Sequence, residues 1–175
     1  PQDLDAARFV LWNSFRHFPQ DTLFVCVVDP GVGSKRDILL LETDHYRFLA
    51  PDNGLLDYIM AEVPVRQLFR VDNPKLFKEP VSTTFHGRDI FSPVAARLAR
   101  GFPATQVGPL LDYRLPASPF IAITENPECE GCILHVDHFG NLITNLQIPT
   151  GMQGTVRVGE RTLVLFRAYA DVNPG

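Results

Sequence analysis

Cysteine, methionine and tryptophan are scarce in this chain: three, two and one of them among 175 residues. Three cysteines, an odd number, argue against a disulfide framework. Long hydrophobic runs are also missing. The apolar stretches fall far short of the roughly 20 residues that a membrane-spanning helix needs. No block of one charge stands out: 16 basic residues face 20 acidic ones, for a net charge of −4. There is thus no basic stripe for nucleic acid and no acidic tail. No basic segment followed by an apolar stretch opens the chain, so no secretory signal is read. Internal repeats and low-complexity tracts are lacking as well. These absences together describe a soluble, cytoplasmic protein. The chain begins without Met and stops at the turn Val172-Asn173-Pro174-Gly175. It therefore reads as an excerpt of a longer polypeptide, truncated at both ends.

What is present is enough apolar material for a sizeable core, 45% of the residues. Leu4, Ala7, Val10, Leu11, Ser14 and Phe15 recur at helical spacing, with Asp3 as N-cap and Pro19 past the end. Thr22 to Val28 is a continuous apolar run that predicts a strand buried on both faces. Further strands are predicted at Ile38 to Glu42, Tyr46 to Leu49 and Val65 to Val71. A turn is predicted at Pro51 to Gly54, and a short helix over Leu55 to Glu62. Ile90, Phe91, Val94, Ala95 and Leu98 form a helical stripe, with Ser92 as N-cap and Pro93 as the first helical residue. Prolines thicken from Pro103 to Pro119, which reads as a linker. Beyond it, short strands are predicted at Phe120–Thr124, Cys132–Val136, Leu142–Leu146, Thr155–Val158 and Thr162–Phe166. The expectation is an α/β domain over 1–115 with a central mixed or parallel sheet. A small all-β, barrel-like domain is expected over 116–175.

Four segments carry chemistry. Val28-Asp29-Pro30-Gly31-Val32-Gly33-Ser34-Lys35-Arg36 sets a carboxylate and a guanidinium on a Gly-rich bend after a strand, where open α/β sheets bind ligands. It lacks the Lys-Ser/Thr ending of a P-loop and the glycine register of a dinucleotide fingerprint. A plain surface ion pair between Asp29 and Arg36 is the competing reading. Thr84-Phe85-His86-Gly87-Arg88-Asp89 places an imidazole beside a glycine that lets backbone approach a ligand closely. Arg88 and Asp89 are expected to pair with each other or to cap the next helix. Asp137-His138-Phe139-Gly140-Asn141 puts a carboxylate, an aromatic ring and an amide on one face, if the strand period holds. A hairpin with one core Phe is the bland alternative. Finally, Cys129-Glu130-Gly131-Cys132 followed by His135 and His138 invites a zinc reading. The missing second CxxC and the short gap to the histidines count against it.

Taken in order, these segments resemble the S-adenosyl-L-methionine (SAM) hydroxide adenosyltransferases, or SAM hydrolases, relatives of the fluorinase and chlorinase. The matching pieces are Pro1-Gln2-Asp3 with Ala6-Ala7, Val27 to Ser34 with Arg36, and Pro51 to Leu56. Thr84 to Pro93, Gly101-Phe102-Pro103 and Asp137 to Asn145 follow in the same order. The resemblance implies a homotrimer that binds SAM between the N-terminal domain of one subunit and the C-terminal domain of its neighbour. It implies catalytic roles for Asp29, Arg36 and His86, flanked by the substrate-binding Phe85 and Gly87. Substrate contacts fall on Asp137 at the methionine end, on Phe139 and Asn141 near the nucleoside, and on Tyr169 against adenine. SAM is then the substrate, and neither a cofactor nor a metal is called for.

The halogenating relatives carry Tyr at His86, and the fluorinase has Ser at Gly87 and no carboxylate at Asp29. This chain also lacks the fluorinase's long insertion between Ile38 and Pro51. Water or hydroxide is therefore the expected nucleophile. The family pattern further implies a strand before Pro1, with an Asp for the ribose hydroxyls, and a segment after Gly175, with an Arg for methionine. A SAM-dependent halogenase and an inactive SAM-binding or trimer-forming module are the alternatives.

Overall fold

In Ile38-Leu39-Leu40-Leu41 every residue is apolar, so a strand there has to bury both faces. The computed structural model, which describes residues 2–112, 122–123, 130–149, 151, 153–168 and 171–172, puts it in the middle of a sheet. This strand, β2 (Ile38–Thr43), lies antiparallel between β3 (Arg47–Pro51) and β4 (Val65–Arg70). A further strand, β1 (Leu23–Val25), pairs in parallel with β3, giving the order β1-β3-β2-β4. The sheet is mixed.

Alternation then sorts the side chains into two cores. Ile38, Leu40, Leu49 and Phe69 face α3 (Ser92–Ala99) through Val94 and Leu98. Leu39, Leu41, Phe48 and Leu68 face α1 (Leu4–Ser14) and α2 (Asp57–Glu62), with Phe15, Leu55 and Ile59 between them. Asp3 caps α1 as expected, its carboxylate accepting the Ala6 amide at 2.9 Å.

One edge of this sheet gathers the chemistry. The carboxyl ends of the parallel β1 and β3 lie there, leading to Asp29 and to the turn at 51–54. The antiparallel β2 begins at the same edge just after Arg36, and β4 ends there, the Val71 amide donating to the Ile38 carbonyl. The chain then runs from β4 through residues 72–86 to a single π-helical turn at Gly87–Phe91 that continues into α3.

Two local expectations are corrected. The run Thr22–Val28 is not buried on both faces. Phe24, Cys26 and Val28 pack on the core beneath α1 and α2, whereas Val25 and Val27 are exposed. On that second face only Leu23 reaches the core beneath α3, and the rest of the run extends past the cover that this helix gives. Ser92 does not cap α3 with its side chain. The backbone is already wound from Gly87, and the Ser92 amide and hydroxyl both bond back to the Gly87 carbonyl, the hydroxyl at 2.8 Å.

By contacts the chain divides into Pro1–Phe120 with Ile133–Ile143, and Ile121–Cys132 with Thr144–Gly175. The first unit thus takes in the segment from β6 (Ile133–Val136) towards β7 (Leu142–Thr144), and His135 stacks on Phe9 of α1 at 4.7 Å. In the second unit β5 (Ala122–Ile123) pairs with β8 (Leu146–Gln147), and β9 (Thr155–Val158) forms a hairpin with β10 (Arg161–Val164). Buried Asn145 accepts the Cys132 amide there at 2.7 Å. Among the described residues no helix is long and apolar enough to cross a membrane.

Candidate active site

The bend after β1 folds Arg36 back over Asp29. Arg36 Nε donates to Asp29 Oδ1 at 2.6 Å, and Nη2 faces Oδ2, so the pair is bidentate. Both side chains are withdrawn from solvent, 4% exposed for Asp29 and 9% for Arg36. The plain surface pair expected as one reading is thus a buried one. Desolvation lowers the Arg36 guanidinium from its ordinary value, although an arginine remains charged throughout the working range.

His86 comes to this pair from the far end of the loop between β4 and α3. A glycine permits the approach. Gly33 has φ +82°, and a Cβ there would sit 2.5 Å from the Thr83 carbonyl oxygen, so only glycine lets the two loops touch. Gly87 packs on Val27, whose Cγ1 would lie 3.5 Å from an added Cβ. His86 Nδ1 is buried and has no hydrogen-bond partner among the described residues. Burial lowers the imidazole from its ordinary value, and the Arg36 charge lowers it further. A backbone hydrogen bond with Ser82 and the Asp89 carboxylate act in the other direction. The net effect is a neutral imidazole at neutral pH, with a ring nitrogen able to accept a proton.

The loop that carries His86 is held by Asp89, whose side chain is fully buried. Its carboxylate accepts Arg88 Nε at 2.7 Å, Arg88 Nη2 at 2.9 Å and the Ser82 amide at 2.9 Å. These bonds, with Arg88 first, hold the carboxyl down at about 2. Ser82 Oγ in turn accepts the amides of Thr84 and Phe85. Phe85 is 60% exposed, with the Arg88 guanidinium 4.9 Å from its ring centre.

The residues expected to bind substrate therefore fall into two groups. Asp29, Arg36 and His86 are gathered at the sheet edge, with Phe85 and Gly87 beside them. Asp137, Phe139 and Asn141 form a separate cluster at the tip of the β6–β7 hairpin. There Asp137 Oδ1 accepts the amides of Phe139 and Asn141, and Oδ2 accepts Asn141 Nδ2 at 2.7 Å. These bonds hold the Asp137 carboxyl below its ordinary value. They leave Phe139 78% exposed at the tip, so its ring is not the core Phe of the bland alternative. Tyr169 and Cys129 lie outside the described residues. Of the other thiols, Cys132 is exposed, and burial pushes Cys26 up to about 12, far from a working nucleophile.

Two residues escaped the reading of the sequence. Asp89 was expected to pair with Arg88, and does, but nothing local signals that it is buried and holds the Ser82 amide. Asn53 was legible only as part of a turn and of the Pro51–Leu56 family segment, with no role of its own. Its Nδ2 donates to the Val28 carbonyl at 3.0 Å, next to Asp29.

Comparison with known proteins identifies the family. Residues 1–108 match the SAM hydroxide adenosyltransferase N-terminal domain and residues 131–175 the SAM hydroxide adenosyltransferase C-terminal domain. An (R)-S-adenosyl-L-methionine hydrolase from Thermus thermophilus is 36% identical over 183 residues, an alignment that covers 100% of this chain and 70% of that protein. The crystal structure of an uncharacterized conserved protein from Thermotoga maritima superposes with a TM-score of 0.85 at 35% identity, covering 100% of this chain and 71% of that one. A fluorinase from an Actinoplanes species is more distant, 27% identical over 83% of this chain and 58% of its own.

Proposed function

Because the chain belongs to the SAM hydroxide adenosyltransferase family, we propose that it hydrolyses S-adenosyl-L-methionine to adenosine and L-methionine. Water attacks the ribose C5′ carbon in line with the sulfonium. The O–C5′ bond forms, the C5′–S bond breaks, and its electron pair leaves on methionine as a neutral thioether. The water proton passes to the enzyme. The observation that carries this reading is the convergence of Asp29, Arg36 and His86 on one sheet edge.

The geometry suggests a division of labour. Both Asp29 oxygens are engaged by Arg36, whereas His86 Nδ1 is buried and unengaged. His86 is therefore the proton acceptor. Two of the guanidinium nitrogens face Asp29, which leaves Nη1 to stabilise developing hydroxide. Asp29 fixes the fork of Arg36 in place. General-base help of this kind contributes about 10²–10⁴-fold. In-line placement contributes roughly 7–11 kcal/mol, so positioning outweighs the base. The sulfonium loses its charge as it leaves, and an apolar, water-poor site favours that change. SAM is the substrate, and the chemistry uses no cofactor.

In the same reading the small sheets of the C-terminal region close into a barrel, and three subunits assemble. The hairpin cluster of Asp137, Phe139 and Asn141, with Tyr169, then grips SAM from a neighbouring subunit. The exposed Phe139 ring and the ordered Asp137 turn support this part of the reading.

The test is incubation of the protein with SAM in ¹⁸O-water. Adenosine labelled at the 5′ oxygen, with equimolar methionine, is the expected product. A 5′-halo-adenosine in chloride or fluoride buffer would move the protein to the halogenase branch. Calorimetric binding of SAM without any product would reduce it to a binding module.

A further inference from the structure

The bend from Asp29 to Arg36 has little to hold its shape from within. Its internal backbone bonds are two turns, Val32 amide to Asp29 carbonyl at 3.2 Å and Ser34 amide to Gly31 carbonyl at 3.0 Å. Yet the bidentate pair needs both ends of the bend at a set separation and angle. The structure supplies this from outside, through one turn. Asn53 Nδ2 donates to the carbonyl of Val28, immediately before Asp29, at 3.0 Å. The neighbouring Asp52 amide donates to the carbonyl of Asp37, immediately after Arg36, at 2.9 Å. Residues 52 and 53 thus grip the bend at entry and at exit.

The turn is itself anchored. Asn53 Oδ1 accepts the Leu55 amide at 3.2 Å, tying it to the start of α2. Arg8 of α1 donates from Nε to the Gly54 carbonyl at 2.8 Å. Gly54 has φ +85°, and a Cβ there would collide with the Arg8 guanidinium. Asn53 uses a donor and an acceptor of one short side chain at once. Asp has no donor to offer, and Ser is too short to span both partners.

We propose that Asn53 is a positioning residue for the reaction: it clamps the chain ahead of Asp29 so that the Asp29–Arg36 pair stands beside His86. The assignment rests on the hydrolase reading for its kinetic consequence, but its structural consequence can be measured without substrate. The charged and titratable groups acting on His86 are Arg36, Asp89 and, through Arg36, Asp29. If the clamp is released, the Arg36 charge is no longer held in place to act on the imidazole.

Asn53→Ala removes both bonds. Asn53→Ser is the milder variant: it keeps an oxygen for the Leu55 amide, as Ser does in such turns, and loses only the reach to Val28. The His86 ring is followed by NMR titration of histidine-labelled protein, with His86→Gln identifying its resonance. In Asn53→Ser the His86 titration is expected to move up towards the ordinary histidine value. With SAM, kcat is expected to fall about ten- to a hundredfold while KM stays within roughly twofold. A folded Asn53→Ser protein whose His86 titrates as in the parent overturns the proposal. Failure of the parent protein to release adenosine overturns the hydrolase reading instead, and the titration still decides the role of Asn53.

Discussion

Asp29 and Arg36 form a buried, bidentate ion pair across the Gly-rich bend. Lysine cannot reproduce a two-pronged fork. Arg36→Lys is accordingly expected to lower kcat by at least about tenfold, with folding largely kept. Arg36→Ala leaves a buried carboxylate without its partner and is expected to destabilise the fold by about 3 kcal/mol. Urea denaturation and a SAM turnover assay separate the two effects. Full turnover in Arg36→Ala would remove Arg36 from the mechanism.

His86 is the group expected to set the acid limb of activity. Its ordinary value of 6.5 is lowered by burial and by Arg36, so the neutral, proton-accepting form persists below that pH. Turnover should therefore hold as pH falls past 6.5 and decline only on further acidification. Stability follows the same sign. The unfolded chain takes up the proton first, so the contribution is present above 6.5 and is lost as pH falls through the folded value. His86→Ala should keep a slow residual rate and lose this acid limb, as read from kcat against pH.

Asp89 gives a second, lower window. Its carboxyl is held at about 2 against an ordinary 3.8. Its contribution is fully present above 3.8 and disappears as pH falls through about 2. Urea midpoints recorded from pH 5 to pH 2 should fall less steeply in Asp89→Asn than in the parent. Equal slopes would show that the buried carboxylate is not what holds the Ser82 loop.

Gly33→Ala tests the contact between the two loops. The backbone there is left-handed, and the new methyl group would meet the Thr83 carbonyl. A cost of about 1–2 kcal/mol is expected from the backbone alone, with a further loss of kcat as the His86 loop is pushed from Asp29. Parental kcat in this variant would mean that the loops need not touch.

In the core, Leu40 belongs to the central strand and is completely buried. Leu40→Ala is expected to cost about 2–5 kcal/mol in urea denaturation, with the KM for SAM unchanged in the folded fraction.

Much of this was readable along the chain. The apolar run from Ile38 announced a strand, and helical spacing announced α1 and α3, because burial imposes its period on sequence. The segments around Asp29, His86 and Asp137 carried the family in their order. Where the reading failed, neighbours distant in sequence had decided the matter. Thr22–Val28 is a continuous apolar run, yet on one face only Leu23 meets the core under α3 while Val25 and Val27 stay exposed. Ser92 has the look of a cap, but the π-helical turn before it has already satisfied that end.

The sequence alone determined which residues would be strands and helices and which side chains were chemically able to act, since both are local properties of composition and period. Strand pairing decided the rest. By bringing the ends of β1, β2, β3 and β4 to one edge it buried the Asp29–Arg36 pair, set Arg36 against His86 and laid Asn53 on Val28. No local pattern encodes such meetings, because they depend on the register and order of strands far apart in the chain.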